Sequence, residues 1–232
     1  MTQPNLPVRV VCATRLDQSE FLVKTPTGRS IKNFIQVSEV EVRLYSSNLT
    51  SLSALYNQAI AESEKSPAIL VFMHDDIWIG DFFWSDRIRA GLGEWDIVGL
   101  AGNKRRVPYQ PSWAFINDRF EWDASENLSG VVGHGNSFPP KDVSPFGPVN
   151  QECKLMDGLM LGVKSDTLLK SGLRFDERFQ FHFYDLDFCR QAEKFELKMG
   201  TIPLAVSHES GGNFSSDKWK SGYQDYLRKW ID

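Results

Sequence analysis

Long apolar runs are missing from this 232-residue chain: no segment approaches the ~18 uncharged residues that a membrane-spanning helix needs, so no transmembrane span is expected. Cysteine is scarce. Cys12, Cys153 and Cys189 are odd in number and widely separated, which suits reduced thiols better than a disulfide framework or a zinc site. A surplus of positive charge is absent as well. With 26 Lys and Arg against 30 Asp and Glu the net charge is -4, which argues against a general nucleic-acid binder that neutralises phosphates. Two local basic stretches remain, the Lys-Arg-Arg at 104–106 and the C-terminus. Each offers a contact for a phosphate or an acidic membrane surface, although a solvated charged face is the usual role of such runs. The opening residues MTQPNLPVRV lack the basic start and apolar run of an export signal, so a cytoplasmic location is expected.

What is present is ordinary soluble-domain composition, 41% hydrophobic and 24% charged, at a length that suits one α/β domain over residues 1–232. Residues 8–12 form a short β-branched run ending at Ala13-Thr14-Arg15, a first buried strand followed by a polar loop where a ligand would sit. Residues 37–44 alternate as a second strand. Leu52, Leu55, Tyr56, Ala59 and Ile60 then recur at helical spacing, and the helix should stop before Pro67. Residues 68–73 (AILVFM) are apolar on both faces and predict a central strand of a mostly parallel sheet, running straight into His74-Asp75-Asp76.

Further on, a helix over 82–92 capped by Asp81 is expected, then a buried strand over 96–101 closed by Gly102. Residues 103–150 differ, being rich in Pro, Gly, Ser and Asn with interspersed Trp113, Trp122 and Phe138; they predict a long functional loop or lid. A strand pattern resumes over 155–163 around Asp157-Gly158, 185–196 reads as helix, and 202–206 as a last strand leading to His208. Near the end Trp219, Tyr223, Tyr226, Leu227 and Trp230 repeat at helical spacing among Lys and Arg. Docking on the domain is the default for such a face, and peripheral membrane contact the alternative.

In open α/β sheets ligands bind beyond the carboxyl ends of the strands, which gives weight to His74-Asp75-Asp76. A carboxylate there can hold Mg²⁺ or Mn²⁺, although an Asp after a strand is commonly a turn or cap. A second acidic pair, Asp185 and Asp187, opens a predicted helix, where the helix dipole alone would favour it. His208 follows a predicted strand, in a position that imidazoles also fill for purely structural reasons. Asp157-Gly158 between apolar runs reads equally as a hairpin turn. Trp113 and Trp122 could stack on a sugar ring or anchor the loop.

The runs NLTSLSALYNQAIAESEKSPAILVFMHDDIWI, DGLMLGVK, FHFYDLDFCRQAEKFELKMG and VSHESGG, in that order, resemble the bacterial glycosyltransferases related to family 2, over most of the chain from Val8 to Trp230. The resemblance implies a GT-A fold and a divalent metal, Mn²⁺ or Mg²⁺. It also implies a nucleotide-diphosphate sugar donor, UDP-linked by preference, and a glycan, lipid-linked or protein acceptor. His74-Asp75-Asp76 stands where such proteins carry a DxD motif, with His in place of the first Asp. By that likeness Asp76 is a metal ligand, Asp75 lies by the ribose, and His74 belongs to the same substrate-binding segment. Tyr184-Asp185 aligns with the family's later acidic motif, making Asp185 the catalytic base, with Tyr at its partner position. His208 resembles the histidine that completes the metal shell in some of these enzymes. Asp157 and Gly158 fall near the donor sugar or acceptor, and Thr14, Arg15 and Asn57 near the nucleotide. The resemblance further implies a single displacement with inversion; the location expected from the N-terminus stays cytoplasmic, with the inner face of the membrane as the place where the C-terminal helix would make its alternative contact. Two other classes stay open on the residues alone: a metal-dependent phosphohydrolase or nucleotidyltransferase, built on two metals about 4 Å apart, and a non-catalytic nucleotide-sugar-binding module.

Overall fold

The computed structural model describes residues 6–34, 40–211 and 214–230. The chain begins with β1 (Val8–Ala13), α1 (Gln18–Lys24), α2 (Pro26–Lys32), β2 (Val40–Tyr45), α3 (Leu52–Glu62) and β3 (Ile69–Met73). It continues through β4 (Ile77–Ile79), α4 (Trp84–Gly91), β5 (Ile97–Gly99), β6 (Ala101–Asn103), β7 (Leu128–His134) and β8 (Asp142–Gly147). The last part holds β9 (Leu155–Met156), β10 (Met160–Lys164), α5 (Ser165–Ser171), α6 (Tyr184–Lys194), β11 (Met199–Thr201), β12 (Val206–His208) and α7 (Asp217–Lys229).

Two sheets result. The larger runs β11-β5-β10-β3-β1-β2 and is parallel except for β10, which lies antiparallel to both neighbours. Every residue of β3 is buried, as its unbroken apolar run predicts for a strand covered on both faces. The smaller sheet runs β4-β12-β7-β6-β9, with β8 added on β7. Local chemistry sets the helix starts. Asp17, Thr25, Ser51 and Ser216 each accept the backbone N–H three residues on, and Pro26 occupies the first turn of α2, where its missing N–H costs nothing.

Several expected elements are divided or displaced. The strand expected over 96–101 is two strands, β5 in the large sheet and β6 in the small one, with Leu100 as the crossing point and Gly102 inside β6 instead of beyond it. The strand expected over 155–163 is likewise split into β9 and β10, so Asp157-Gly158 is a passage between sheets and not a hairpin turn. The final strand lies at 206–208, after β11 at 199–201, and not at 202–206. Of the second strand, residues 37–39 fall outside the described residues, and the rest is β2. Asp81 does not cap α4: its Oδ1 accepts Phe83 N–H at 2.8 Å, which turns the chain two residues before the helix.

Residues 103–150 are not one weakly structured loop, because β7 and β8 form a hairpin inside them. Their composition hides this. Gly130 sits at φ +114 with Leu100 O only 2.1 Å from where a Cβ would be, so the crossing of the chain beneath it requires glycine at a position that weakens any strand pattern. Pro145 lies in β8 beside the register shift at Gly130/Val131, a bulged setting that tolerates a residue without an N–H.

An aromatic cluster fixes the start of α6. Tyr56 packs on Phe72, Phe175 and Tyr184 with centroids 4.8, 5.2 and 5.9 Å apart, and Phe175 stacks on Phe188 at 4.2 Å. The C-terminal aromatics dock here too: Trp219, Tyr223 and Tyr226 lie 5.3 to 5.7 Å from Phe183, and all three are buried. Trp230, also buried, donates its indole N–H to Asp187 at 2.7 Å. The aromatic stripe of α7 is thereby committed to the domain, and the alternative of membrane contact through that face has no support. No helix among the described residues is long and apolar enough to cross a membrane. The basic stretch at 104–106 is also engaged, since Arg105 pairs with Asp123 at 2.5 Å and Arg106 with Glu193 at 3.4 Å.

Candidate active site

The carboxyl end of β3 delivers His74, Asp75 and Asp76 into a turn held by Thr27 of α2. Thr27 is fully buried; its hydroxyl donates to His74 O at 2.7 Å and its backbone N–H to Asp75 O at 3.1 Å. The short strand β4 follows at once and pairs antiparallel with β12, placing His208 opposite Ile77. This pairing joins residues far apart in sequence. Asp76 Oδ2 lies 3.3 Å from His208 Nε2, and Asp76 Oδ1 lies 3.9 Å from His74 Nδ1. One ligand atom from each of the three side chains falls within 4.8 Å of the others.

Their hydrogen bonding suits a cation. Asp76 Oδ1 is buried without a hydrogen-bond partner, an arrangement that is costly unless something positive meets it. Burial opposes its charge, but the hydrogen bond and the charge of His208 outweigh that and hold the carboxyl well below its ordinary range. Tyr184 Oη donates to Gly158 O at 2.8 Å and lies 2.8 Å from His74 Nε2. A hydroxyl has one proton, so His74 must carry its own on Nε2 and present a bare lone pair on Nδ1, the atom facing Asp76. Burial lowers the pKa of His74, consistent with a neutral imidazole, and pushes the Tyr184 phenol far up, which keeps it a donor. A neutral imidazole oriented by a partner on its far nitrogen is the usual form of a metal-binding histidine. Two imidazole nitrogens and a carboxylate oxygen form a donor set that fits Mn²⁺ or a comparable transition ion better than Mg²⁺, which prefers oxygen alone. Among the described residues this is the one such group, so two-metal chemistry finds no second site.

Asp185 stands in the first turn of α6, entered through Phe183 in a left-handed conformation (φ 66). Gly158 N–H donates to its Oδ2 at 3.0 Å and Leu186 N–H to its Oδ1 at 2.9 Å. Burial, and then the nearby charge of Asp157, push its carboxyl up to about 7 against these hydrogen bonds. Gly158 has to be glycine: a Cβ would meet Tyr184 Oη at 2.3 Å and Asp185 Cβ at 2.8 Å. Asp157 accepts Trp113 Nε1–H at 2.6 Å and Leu159 N–H at 2.9 Å.

His74, Asp75, Asp76, Asp157, Asp185 and His208 line one cavity of about 620 Å³. All four histidines of the chain face it, with no Lys or Arg among its lining residues. An adjoining cavity of about 1090 Å³ shares Ala13, Leu52, Asp75, Phe181 and His182 with the first and adds Thr14, Arg15, Asn48, Arg178 and Lys218. The expected loop after β1 therefore opens onto the cleft. Asn57 does not line either cavity. Its amide accepts Phe175 N–H at 2.9 Å and donates to Phe175 O at 2.9 Å, which pins the segment ahead of α6 instead of facing a nucleotide. Asp187 is also structural, fully buried and paired with Lys229 at 2.6 Å. Sequence reasoning missed Thr27, His134 and Ser144. The last two face the cavity from the hairpin with 2.7 Å between His134 Nε2 and Ser144 Oγ, and no spacing rule ties them to residues 74–76.

No protein-family model and no curated protein sequence matches the chain. Solved structures are similar to it in fold. One is GalNAc-T7 with UDP, GalNAc and Mn²⁺, at a TM-score of 0.54 and 11% identity over 99% of this chain. The chain spans about half of that structure, 49%. Another is A197 from STIV, at a TM-score of 0.45 and 13% identity, covering 88% of this chain and 83% of that one. The fold is therefore a GT-A-like α/β fold, shared with a glycosyltransferase.

Proposed function

We propose that the protein is a metal-dependent, inverting glycosyltransferase related to family 2. It would move a sugar from a nucleotide-diphosphate donor, UDP-linked by preference, to a hydroxyl of a saccharide, lipid-linked or protein acceptor. The observation that carries this reading is the meeting of His74, Asp76 and His208 with Asp185 around one cleft. His74, Asp76 and His208 would hold the cation and Asp75 would face the ribose, while Thr14 and Arg15 line the side of the cleft open to the nucleotide. Bound there, a divalent cation supplies Lewis-acid stabilisation to the departing diphosphate. It also answers a charge problem, because the carboxylate-rich cavity offers a diphosphate no Lys or Arg.

Asp185 would accept the proton of the acceptor hydroxyl as its oxygen attacks the anomeric carbon. A carboxyl raised to about 7 is a stronger base than an ordinary aspartate and is still ionised in good part near neutral pH. Gly158 N–H and Leu186 N–H hold both carboxylate oxygens, so the group is oriented before the acceptor arrives. The solved relative with UDP and Mn²⁺ supports the donor class by analogy of fold. A thermal-shift panel of UDP-, GDP-, CMP- and dTDP-sugars with and without Mn²⁺ tests it. Stabilisation by a UDP-sugar that requires Mn²⁺ is expected, and no response to any member of the panel would remove the reading.

A further inference from the structure

The end of the cavity beyond Asp157 is walled by aromatic rings that the donor chemistry does not use. Trp122 is 53% exposed and Phe214 41%, a large open apolar area for rings that face a cavity. Trp122 and Phe146 lie nearly parallel, 17° apart with centroids at 5.8 Å, and form a flat step. Trp113 stands across them at 83° and 85° and closes the step into a corner. Its indole N–H holds Asp157, the carboxylate whose charge raises the pKa of Asp185. The corner is thus continuous with the proposed base. Asp157 and the His134–Ser144 pair supply polar groups around the same cavity.

We infer that this corner is the acceptor subsite and that its occupant is an uncharged pyranoside. The inference rests on the glycosyltransferase reading. A pyranose ring presents an apolar C–H face that a flat aromatic surface covers, and hydroxyls at its edge that carboxylates and imidazoles can bind. Charge narrows the class. Asp75, Asp76, Asp157 and Asp185 line the cavity and no Lys or Arg does, so a phosphorylated lipid or an acidic sugar would find no Lys or Arg to meet its charge.

Saturation-transfer NMR on the whole protein with UDP and Mn²⁺ tests this with four probes: methyl glycosides of neutral hexoses, methyl glucuronide, a Ser/Thr peptide, and a prenyl phosphate in detergent micelles. A neutral glycoside should bind through its C–H face, and the glucuronide, the peptide and the prenyl phosphate should not. Trp122→Ala should weaken that binding about tenfold and Trp122→Phe should largely restore it, while both variants bind UDP with Mn²⁺ as the parent does. Phe146→Ala gives a second route should Trp122→Ala fail to fold. Unchanged glycoside affinity in folded Trp122→Ala and Phe146→Ala, or preferential binding of the glucuronide, the peptide or the prenyl phosphate, overturns the inference. Loss of all UDP and Mn²⁺ binding by the parent protein would instead strike the donor reading, so the two failures are distinguishable.

Discussion

The large sheet buries β3 completely, whereas the small sheet ends in β8, a strand exposed or half-buried along its length. The first is a scaffold set by apolar runs. The second is held by strand pairing between distant segments, with Gly and Pro where apolar residues would otherwise stand. Yet the proposed metal ligands are divided between them: His74 and Asp76 follow β3, and His208 ends β12. The 74–76 turn carries the chain from β3 of the large sheet to β4 of the small one, so the site forms only when β12 pairs with β4 beside that turn, and metal affinity would report this junction. If the large sheet alone carried the chemistry, His208 would be dispensable.

The largest effect is expected from Asp76→Asn, which keeps the volume and removes the charge. Calorimetry should show no Mn²⁺-dependent UDP binding, and transfer should drop by at least about a thousandfold, as for a lost metal in this kind of chemistry. His208→Ala removes a proposed ligand outright and should weaken Mn²⁺ by more than the roughly 10- to 100-fold that losing an outer partner of a ligand costs. Full Mn²⁺ affinity in His208→Ala would break the claim that the small sheet shares the site.

Asp185→Asn should lower transfer by about 10²- to 10⁴-fold while UDP and Mn²⁺ bind as before. For the parent protein the rate of the proposed transfer should fall as pH drops through about 7, where the carboxyl takes up a proton and can no longer accept one. Stability should respond in the opposite sense. A carboxyl whose pKa is raised by folding contributes stability that is complete at low pH and lost as pH rises to the folded value. The parent should therefore lose stability relative to Asp185→Asn between about pH 4 and pH 7 and no further above it. Melting curves across pH 4 to 9 check this, and a pH-independent difference would show that Asp185 titrates normally.

This division also explains what the sequence discloses. β1, β3 and α3 are legible because burial on a fixed face imposes a period, and Asp76, Asp185 and His208 are legible because they stand directly at the ends of such elements. The split of residues 96–103 and 155–164 between two sheets is not legible. One apolar run serves two partners, and the break at Leu100 or Asp157-Gly158 is decided by what the strands pair with. For the same reason β7 and β8 read as loop. Thr27 and the His134–Ser144 pair reach the cleft through contacts 47 or more residues away or through a hairpin, which no local spacing encodes. Asn57 shows the opposite case, a residue in a recognisable motif whose amide is spent on Phe175.

Gly158, at the passage between the sheets, sharpens the comparison at smaller scale. In Gly158→Ala the new methyl would stand 2.3 Å from Tyr184 Oη, so either the passage or the start of α6 has to move. Urea unfolding should show a loss of about 1–3 kcal/mol, typical of overpacking at a rigid position, and activity should fall further than stability because Asp185 shifts with the helix. Unchanged stability would mean that the two sheets meet more loosely than these distances allow.

The smallest expected effect is the most specific. Tyr184→Phe removes one hydroxyl from a buried contact and leaves Tyr56, Phe175 and the ring packing in place. It deprives His74 Nε2–H of its acceptor, so the imidazole is no longer held in the tautomer that presents Nδ1 to Asp76. Mn²⁺ affinity measured by electron paramagnetic resonance should drop by roughly tenfold, the scale of an outer partner of a metal ligand. Nitrogen-15 spectra of the imidazoles should show His74 protonated on Nε2 in the parent and mixed in the variant. A loss of stability with neither change would make Tyr184 a packing residue, and the orientation of His74 would then come from the hydrogen bonds that the Leu159 carbonyl and the Thr27 hydroxyl make to its main chain.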